Sequence, residues 1–135
     1  MHPPVYLEAT ERSQDLLTVK WTLRSAGYPI ASTWHDESLP APLAARAVSA
    51  AQSIAEILPF GALIIVRERG RAVPMELAFL LGVAATRGVR VMWIGEPDAV
   101  LAQVKNVQYF ATPEDFRKRI ADPAEEWPAE LTLAA

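Results

Sequence analysis

The run Ala62-Leu63-Ile64-Ile65-Val66 contains no polar residue and no alternation of apolar with polar positions. A strand wetted on one face alternates. An unbroken apolar run of strand length instead suits a strand covered on both faces, as in a parallel sheet. Val89 to Ile94, apolar but for Arg90, reads as a second buried-type strand, ended by Gly95-Glu96-Pro97. Between the two, the pattern predicts a helix from Pro74 to about Arg87, opened by a proline at the first helical position and stopped by Gly88. A strand, a crossover helix and a second buried strand define the unit from which the rest of the chain must be built.

The flanking sequence repeats this alternation. Val5-Tyr6-Leu7 reads as a first strand and Ser13 to Ala26 as a helix, with Leu16, Leu17, Val19, Trp21 and Leu23 apolar and Gly27 as its stop. Tyr28 to Ser32 reads as a second strand, with Pro29 at its start or on an edge. Thr33 to Pro42 is a polar loop. Leu43 to Leu58 reads as a helix in which Leu43, Ala47, Ala50, Ile54 and Ile57 form one apolar stripe, while Arg46, Ser49, Ser53 and Glu56 step along another face. A short helix around Asp98 to Val104 and a strand from Val107 to Phe110 follow. Thr112-Pro113-Glu114-Asp115 then starts a helix running to about Ala121. The expectation is a single α/β domain over residues 1–122, a five-stranded parallel sheet with helices on both faces, followed by a tail at 123–135.

Composition narrows the class. Of the 135 residues, 51% are hydrophobic and 21% charged, which excludes a disordered chain. No apolar run reaches the roughly 18 residues of a membrane span. Met1-His2-Pro3-Pro4 lacks the basic start and apolar core of a secretory signal. With no cysteine and two histidines, a disulfide framework, a thiolate metal site and a His-rich metal site are out, and no metal or cofactor is expected. A cytoplasmic location fits these features. The net charge of −3 argues against nucleic acid as a partner. That charge sits in the tail, where Asp122, Glu125, Glu126 and Glu130 stand without a base, so the body is nearly neutral.

Ligands of open parallel sheets bind at the carboxyl ends of the strands, where strand order reverses. The candidate loops are 8–12, 33–42, 67–73 and 95–98. None carries a G-x-G-x-x-G dinucleotide turn, a Walker-type phosphate loop or a G-x-S-x-G nucleophile elbow. Glu76 is the leading candidate. It falls in the first turn of the helix after the central strand, where the positive helix end favours an ionised carboxylate. Such a group can attack an anomeric carbon. Its position alone favours the other reading, a cap on the backbone N–H groups of the helix. Trp34 suits stacking on a base and Tyr6 suits a hydroxyl at the site, and both suit core packing equally well. Arg67, Arg69 and Arg71 suit a phosphate or carboxylate, or simple solvation. His2 and His35 have no partner visible in the sequence.

Several segments carry a family resemblance. Tyr6-Leu7, Ser13-Gln14-Asp15-Leu16-Leu17, Leu23-Arg24-Ser25-Ala26-Gly27-Tyr28 and Ser32-Thr33-Trp34 resemble the opening of the nucleoside 2-deoxyribosyltransferase-like proteins, with their "YL" strand, "L-R-x-x-G-H/Y" turn and "S-x-W" segment. Ala51 to Ile57 is similar to the family's "E-Q-D-L-x-D-I" helix, and Met75-Glu76-Leu77-Ala78-Phe79-Leu80-Leu81-Gly82 to its "V-E-L-G-F-A-L-A-L-G" helix. Val89 to Pro97 and Val107 to Phe116 resemble the closing segments, so the likeness spans roughly residues 5 to 120.

The resemblance implies a flavodoxin-like (Rossmann-like) sheet and a homo-oligomer. It also implies an enzyme that cleaves the N-glycosidic bond of a nucleoside or nucleotide through a glutamate nucleophile and passes the sugar on. By motif position the nucleophile falls on Glu76, the first-strand aromatic on Tyr6 and the base-side aromatic on Trp34. The departures are specific. The family's helix aspartate falls on Ser53, its "A-D" on Phe60-Gly61, and its Gly-rich segment on Arg71-Ala72-Val73-Pro74. The pair after "YL" is Glu8-Ala9, so Glu8 brings an extra acid, and Glu8 or Glu56 can stand in for the missing one. Glu76 and Tyr6 make up the expected catalytic set, and Trp34, Ser53, Glu8 and Arg67 the expected substrate-binding set. The alternative is a nucleoside- or nucleotide-binding member without catalysis.

Overall fold

The computed structural model describes residues 4–57, 61–70, 72–97, 101–104 and 107–120. Four strands, β1 (Val5–Ala9), β2 (Ala62–Val66), β3 (Arg90–Ile94) and β4 (Val107–Phe110), form one parallel sheet in the order β1-β2-β3-β4. In register, Leu7, Ile64, Met92 and Gln108 make one row across it. The helices are α1 (Gln14–Ser25), α2 (Leu43–Ile57), α3 (Met75–Thr86) and α4 (Pro113–Ile120), with single 3₁₀ turns at Trp34–Asp36 and Leu101–Gln103.

The apolar runs of β2 and β3 are covered on both sides, as their composition requires. Val5, Leu7, Ala62, Ile64, Val66, Met92 and Ile94 face α1 and α4. Leu63, Ile65, Val91 and Trp93 face α2 and α3. All five residues of β2 are fully buried. Tyr6 packs on the α2/α3 side, and period-two alternation puts Glu8 on the same side.

The structure corrects the sequence reading at several points. The sheet has four strands, not five. The segment read as a second strand makes one parallel bridge, Val5 to Ile30, at the outer edge of β1. Pro29 has no N–H to donate, and beyond Ile30 the side chains of Ser32 and Trp34 take over the edge. Pro74 precedes α3 rather than opening it, so Glu76 is the second helical residue. Trp21, counted among the apolar face of α1, is 63% exposed. Trp34 and His35, placed in a polar loop, are buried.

Other boundaries agree with the local chemistry. Ser13 caps α1 by accepting from the Leu16 N–H at 3.1 Å, and Thr112 caps α4 by accepting from Asp115 at 3.1 Å. Gly27 ends the first helical segment with φ 85°. The expected helix start at Asp98, the last turn at Leu58, Ala121 and the tail 123–135 lie outside the described residues. Among the described residues no helix is long and apolar enough to cross a membrane.

Candidate functional site

The outer edge of β1 organises this region. An edge strand exposes unpaired backbone groups that must find partners. Val5 is served by backbone: its N–H donates to Pro29 O at 2.9 Å, and its carbonyl accepts from Ala31 at 2.8 Å. Leu7 is served by side chains: its N–H donates to Ser32 Oγ at 3.0 Å, and its carbonyl accepts from the Trp34 indole at 2.8 Å. Ala9 is served by a charge pair: its N–H donates to Glu8 Oε1 at 3.2 Å, and its carbonyl accepts from Arg46 Nη2 at 2.8 Å. The Ser32-Thr33-Trp34 segment therefore finishes the sheet edge.

Arg46 is the hub. Its Nε donates to Glu8 Oε1 at 3.1 Å and its Nη1 to Ala41 O at 2.6 Å, while the guanidinium lies 4.0 Å from the centre of the Trp34 ring. One side chain thus joins α2, the loop before it, the end of β1 and the Trp34 turn. The helical pattern put Arg46 on a polar face of α2, yet only 8% of it is exposed. Its isolation as a charge in the alanine-rich stretch Leu43–Ala51 was the one signal in the sequence that something must meet it.

Glu8 has no exposed surface, and its Oε2 is buried without a hydrogen-bond partner among the described residues. Burial raises its pKa from an ordinary 4.5 to about 7, against the opposing pull of the Arg46 charge and of the bonds from Ala9 and Arg46. Tyr6, two residues earlier on the same side, is also raised, first by burial and then by the Glu8 charge.

Beside this cluster lies a cavity of about 170 Å³ lined by Tyr6, Thr33, Trp34, Glu37, Arg46 and Ser49. A larger cavity of about 430 Å³ opens at the carboxyl ends of β2, β3 and β4, lined by Arg67, Glu68, Arg69, Gly95, Glu96 and Thr112. Gly95 adopts φ 113°, and a Cβ there would meet the Arg67 Cβ at 2.9 Å, so the β2 and β3 loops touch at a point only glycine permits.

The residues singled out by the sequence fall into three places. Tyr6 and Trp34 share the small cavity, with Glu8 joined to it through Arg46. Arg67 and Arg69 line the large cavity, while Arg71 lies outside the described residues. Glu76 and Ser53 line neither of these two cavities. Glu76 is half-buried in the first turn of α3, and its carboxylate makes no ion pair with another described residue. Ser53 lies one turn beyond Ser49 on the face of α2 that carries Arg46. Of Glu56 the helix position alone is described.

His35 carried no role in the sequence reading and is 4% exposed. Ser32 Oγ lies 3.0 Å from its Nε2, and Asp36 Oδ2 3.7 Å from its Nδ1. Burial holds its pKa down, helped by the nearby Lys20 charge and opposed by Asp36. Lys20 and Arg24 of α1 both pair with Asp36, so the 3₁₀ turn carrying Trp34 is tied to α1. No group of three His, Cys, Asp or Glu among the described residues is arranged to hold a metal. The chain matches no protein-family model and no curated protein.

Proposed function

We propose that this chain is a nucleoside 2-deoxyribosyltransferase-like protein that opens the N-glycosidic bond of a nucleoside or nucleotide, with Glu76 as the nucleophile. The observation that carries this reading is a shared address. Glu8 near the end of β1 and Glu76 in the first turn of α3 stand toward the carboxyl end of the sheet, on the side covered by α2 and α3, and Tyr6, two residues before Glu8, faces the same side. Topology supports it. With the Ile30 bridge counted as an edge strand, the order becomes that of a flavodoxin-like sheet, whose switch point lies beside β1.

In this reaction a Glu76 oxygen bonds to the anomeric carbon as the C–N bond breaks. The electron pair leaves with the base, which takes up a proton. Water or a second base then displaces the glutamate from the sugar. Tyr6 orients Glu76 or the sugar, and the small cavity receives the base. A homo-oligomer belongs to the same reading. Helix α3 is apolar on nearly every side, which is the pattern of a covered helix, yet Met75 is 80% and Phe79 48% exposed.

One observation favours the non-catalytic alternative. The edge of the Trp34 ring is bonded to Leu7 and a face is covered by Arg46, so stacking on a base requires Arg46 to leave Glu8. Incubation with 2′-deoxynucleosides and their monophosphates, with and without an acceptor base, separates the readings. Free or exchanged base that falls by about 10³-fold or more in Glu76→Gln supports the enzyme. Calorimetric binding without turnover selects the binding protein. Neither turnover nor binding overturns both.

A further inference from the structure

We propose that the cavity at the carboxyl ends of β2, β3 and β4 binds a phosphorylated pentose, with Arg67 and Arg69 on the phosphate and Glu68 on the sugar hydroxyls. The site stands apart from the Glu76 chemistry and does not depend on it.

The lining is of mixed charge and is anchored. Arg69 Nε is held by Asp15 Oδ2 of α1 at 3.0 Å, and an Arg67 amino group is bonded to the backbone carbonyl of Glu96. A guanidinium has five N–H donors in a rigid fork, so Arg69 can hold Asp15 and a ligand oxygen at once. Glu68 stands between these arginines in sequence but is only 6% exposed. Its Oε1 accepts from the Glu11 N–H at 3.4 Å, a long contact for a carboxylate withdrawn from water.

A wholly anionic ligand leaves Glu68 and Glu96 opposed, and a cation leaves the two arginines opposed. A ligand with a phosphate at one end and hydroxyl donors at the other satisfies both, because an ionised carboxylate is an acceptor only. The volume of about 430 Å³ leaves room for a pentose with its phosphate, and Gly70, Gly95 and Ala111 in the lining bring backbone close without bulk.

The test is calorimetry on the full chain with ribose 5-phosphate, ribose, inorganic phosphate, AMP and glycine. Ribose 5-phosphate is expected to bind, inorganic phosphate more weakly, and ribose and glycine not at all, with affinity falling as salt is added. Arg69→Gln is expected to weaken ribose 5-phosphate by about tenfold or more, the loss of one charge-assisted contact. Glu68→Gln should erase the preference for ribose 5-phosphate over phosphate. AMP binding that is lost in Arg69→Gln and is at least as tight as that of the free sugar phosphate identifies a nucleotide as the source, and weaker binding of that kind identifies the free sugar phosphate. Loss of ribose 5-phosphate binding in Arg69→Gln is read with Glu76 intact and without any turnover, so a failure of the glycosidic reading does not register here. Absence of binding, equal binding of glycine, or full affinity in a folded Arg69→Gln protein overturns the proposal.

Discussion

Glu8, on β1, has no exposed surface and is gripped by Arg46, whereas Glu76, in the first turn of α3, is half-buried and pairs with no other described residue. Both stand at one end of one side of a single sheet. The difference comes from where each side chain starts. A residue inside a strand must point at the covering layer, so Glu8 is driven into the α2/α3 interface and needs a partner there. A residue in a first helical turn points along the sheet edge, where water does part of the solvation. One carboxylate is built into the scaffold, and the other stays half-buried in contact with water.

The largest test of that contrast removes the partner. Arg46→Ala strands Glu8 in the interior and removes the bonds to Ala9 and Ala41, and breaking a buried pair this way costs about 3–5 kcal/mol. Urea unfolding should show a loss of that size. The double variant Glu8→Leu/Arg46→Met removes both charges and should recover much of it. A loss below about 1 kcal/mol in Arg46→Ala would mean that Glu8 is solvated or takes up a proton once Arg46 is gone.

The next test uses pH. With its folded pKa near 7 and its ordinary value at 4.5, Glu8 binds a proton more tightly in the folded state. Its contribution to stability is therefore fully present below about pH 4.5 and is lost as pH rises through about 7, a swing on the order of 3 kcal/mol. His35 has the opposite sign. Its pKa is held below 6.5, so its contribution is present above 6.5 and is lost as pH falls. The difference between the parent and Glu8→Gln isolates the first effect, because His35 is common to both. Parallel stability curves for the two proteins across pH 4.5–7 would show that the folded Glu8 titrates like an exposed acid.

These contrasts also mark how far the sequence could be read. The sheet was legible because β2 is apolar throughout and β3 is apolar after Arg90, and the helix ends because Ser13, Gly27 and Thr112 act locally. The second strand was misjudged because Tyr28 to Ser32 has strand-like composition, while the pairing is diverted by Pro29 and by the side chains of Ser32 and Trp34. Tyr6 and Trp34 stood out as aromatics beside candidate loops. The Arg46–Glu8 pair did not, since it joins residues 38 apart and no local pattern encodes it. Periodicity assigned Arg46 to a polar face, and only the tertiary fold shows that this face meets the end of β1.

A smaller effect is expected at the third member of the edge. Trp34→Phe keeps the ring over which Arg46 lies but removes the N–H that serves Leu7. The buried carbonyl is then left without that donor, a loss of about 1–2 kcal/mol that thermal unfolding can resolve. Full stability in Trp34→Phe would mean that the Leu7 carbonyl finds another donor, and the side-chain finish of the edge would be dispensable.

The smallest effect falls on Glu76. Its replacement by Ala removes a half-buried carboxylate that bonds to no other described side chain. The remaining stabilising term is attraction to the helix N-terminus, typically about 0.3–1 kcal/mol for an exposed acid. Alanine has the highest helix propensity, which offsets part of that. The unfolding midpoint should therefore scarcely move, and any change in turnover in the same protein can be assigned to the site rather than to the fold. A loss of several kcal/mol, comparable to that of Arg46→Ala, would erase the distinction between the two glutamates. Glu76 would then be a second structural acid, and the chemistry proposed for it would need another carboxylate.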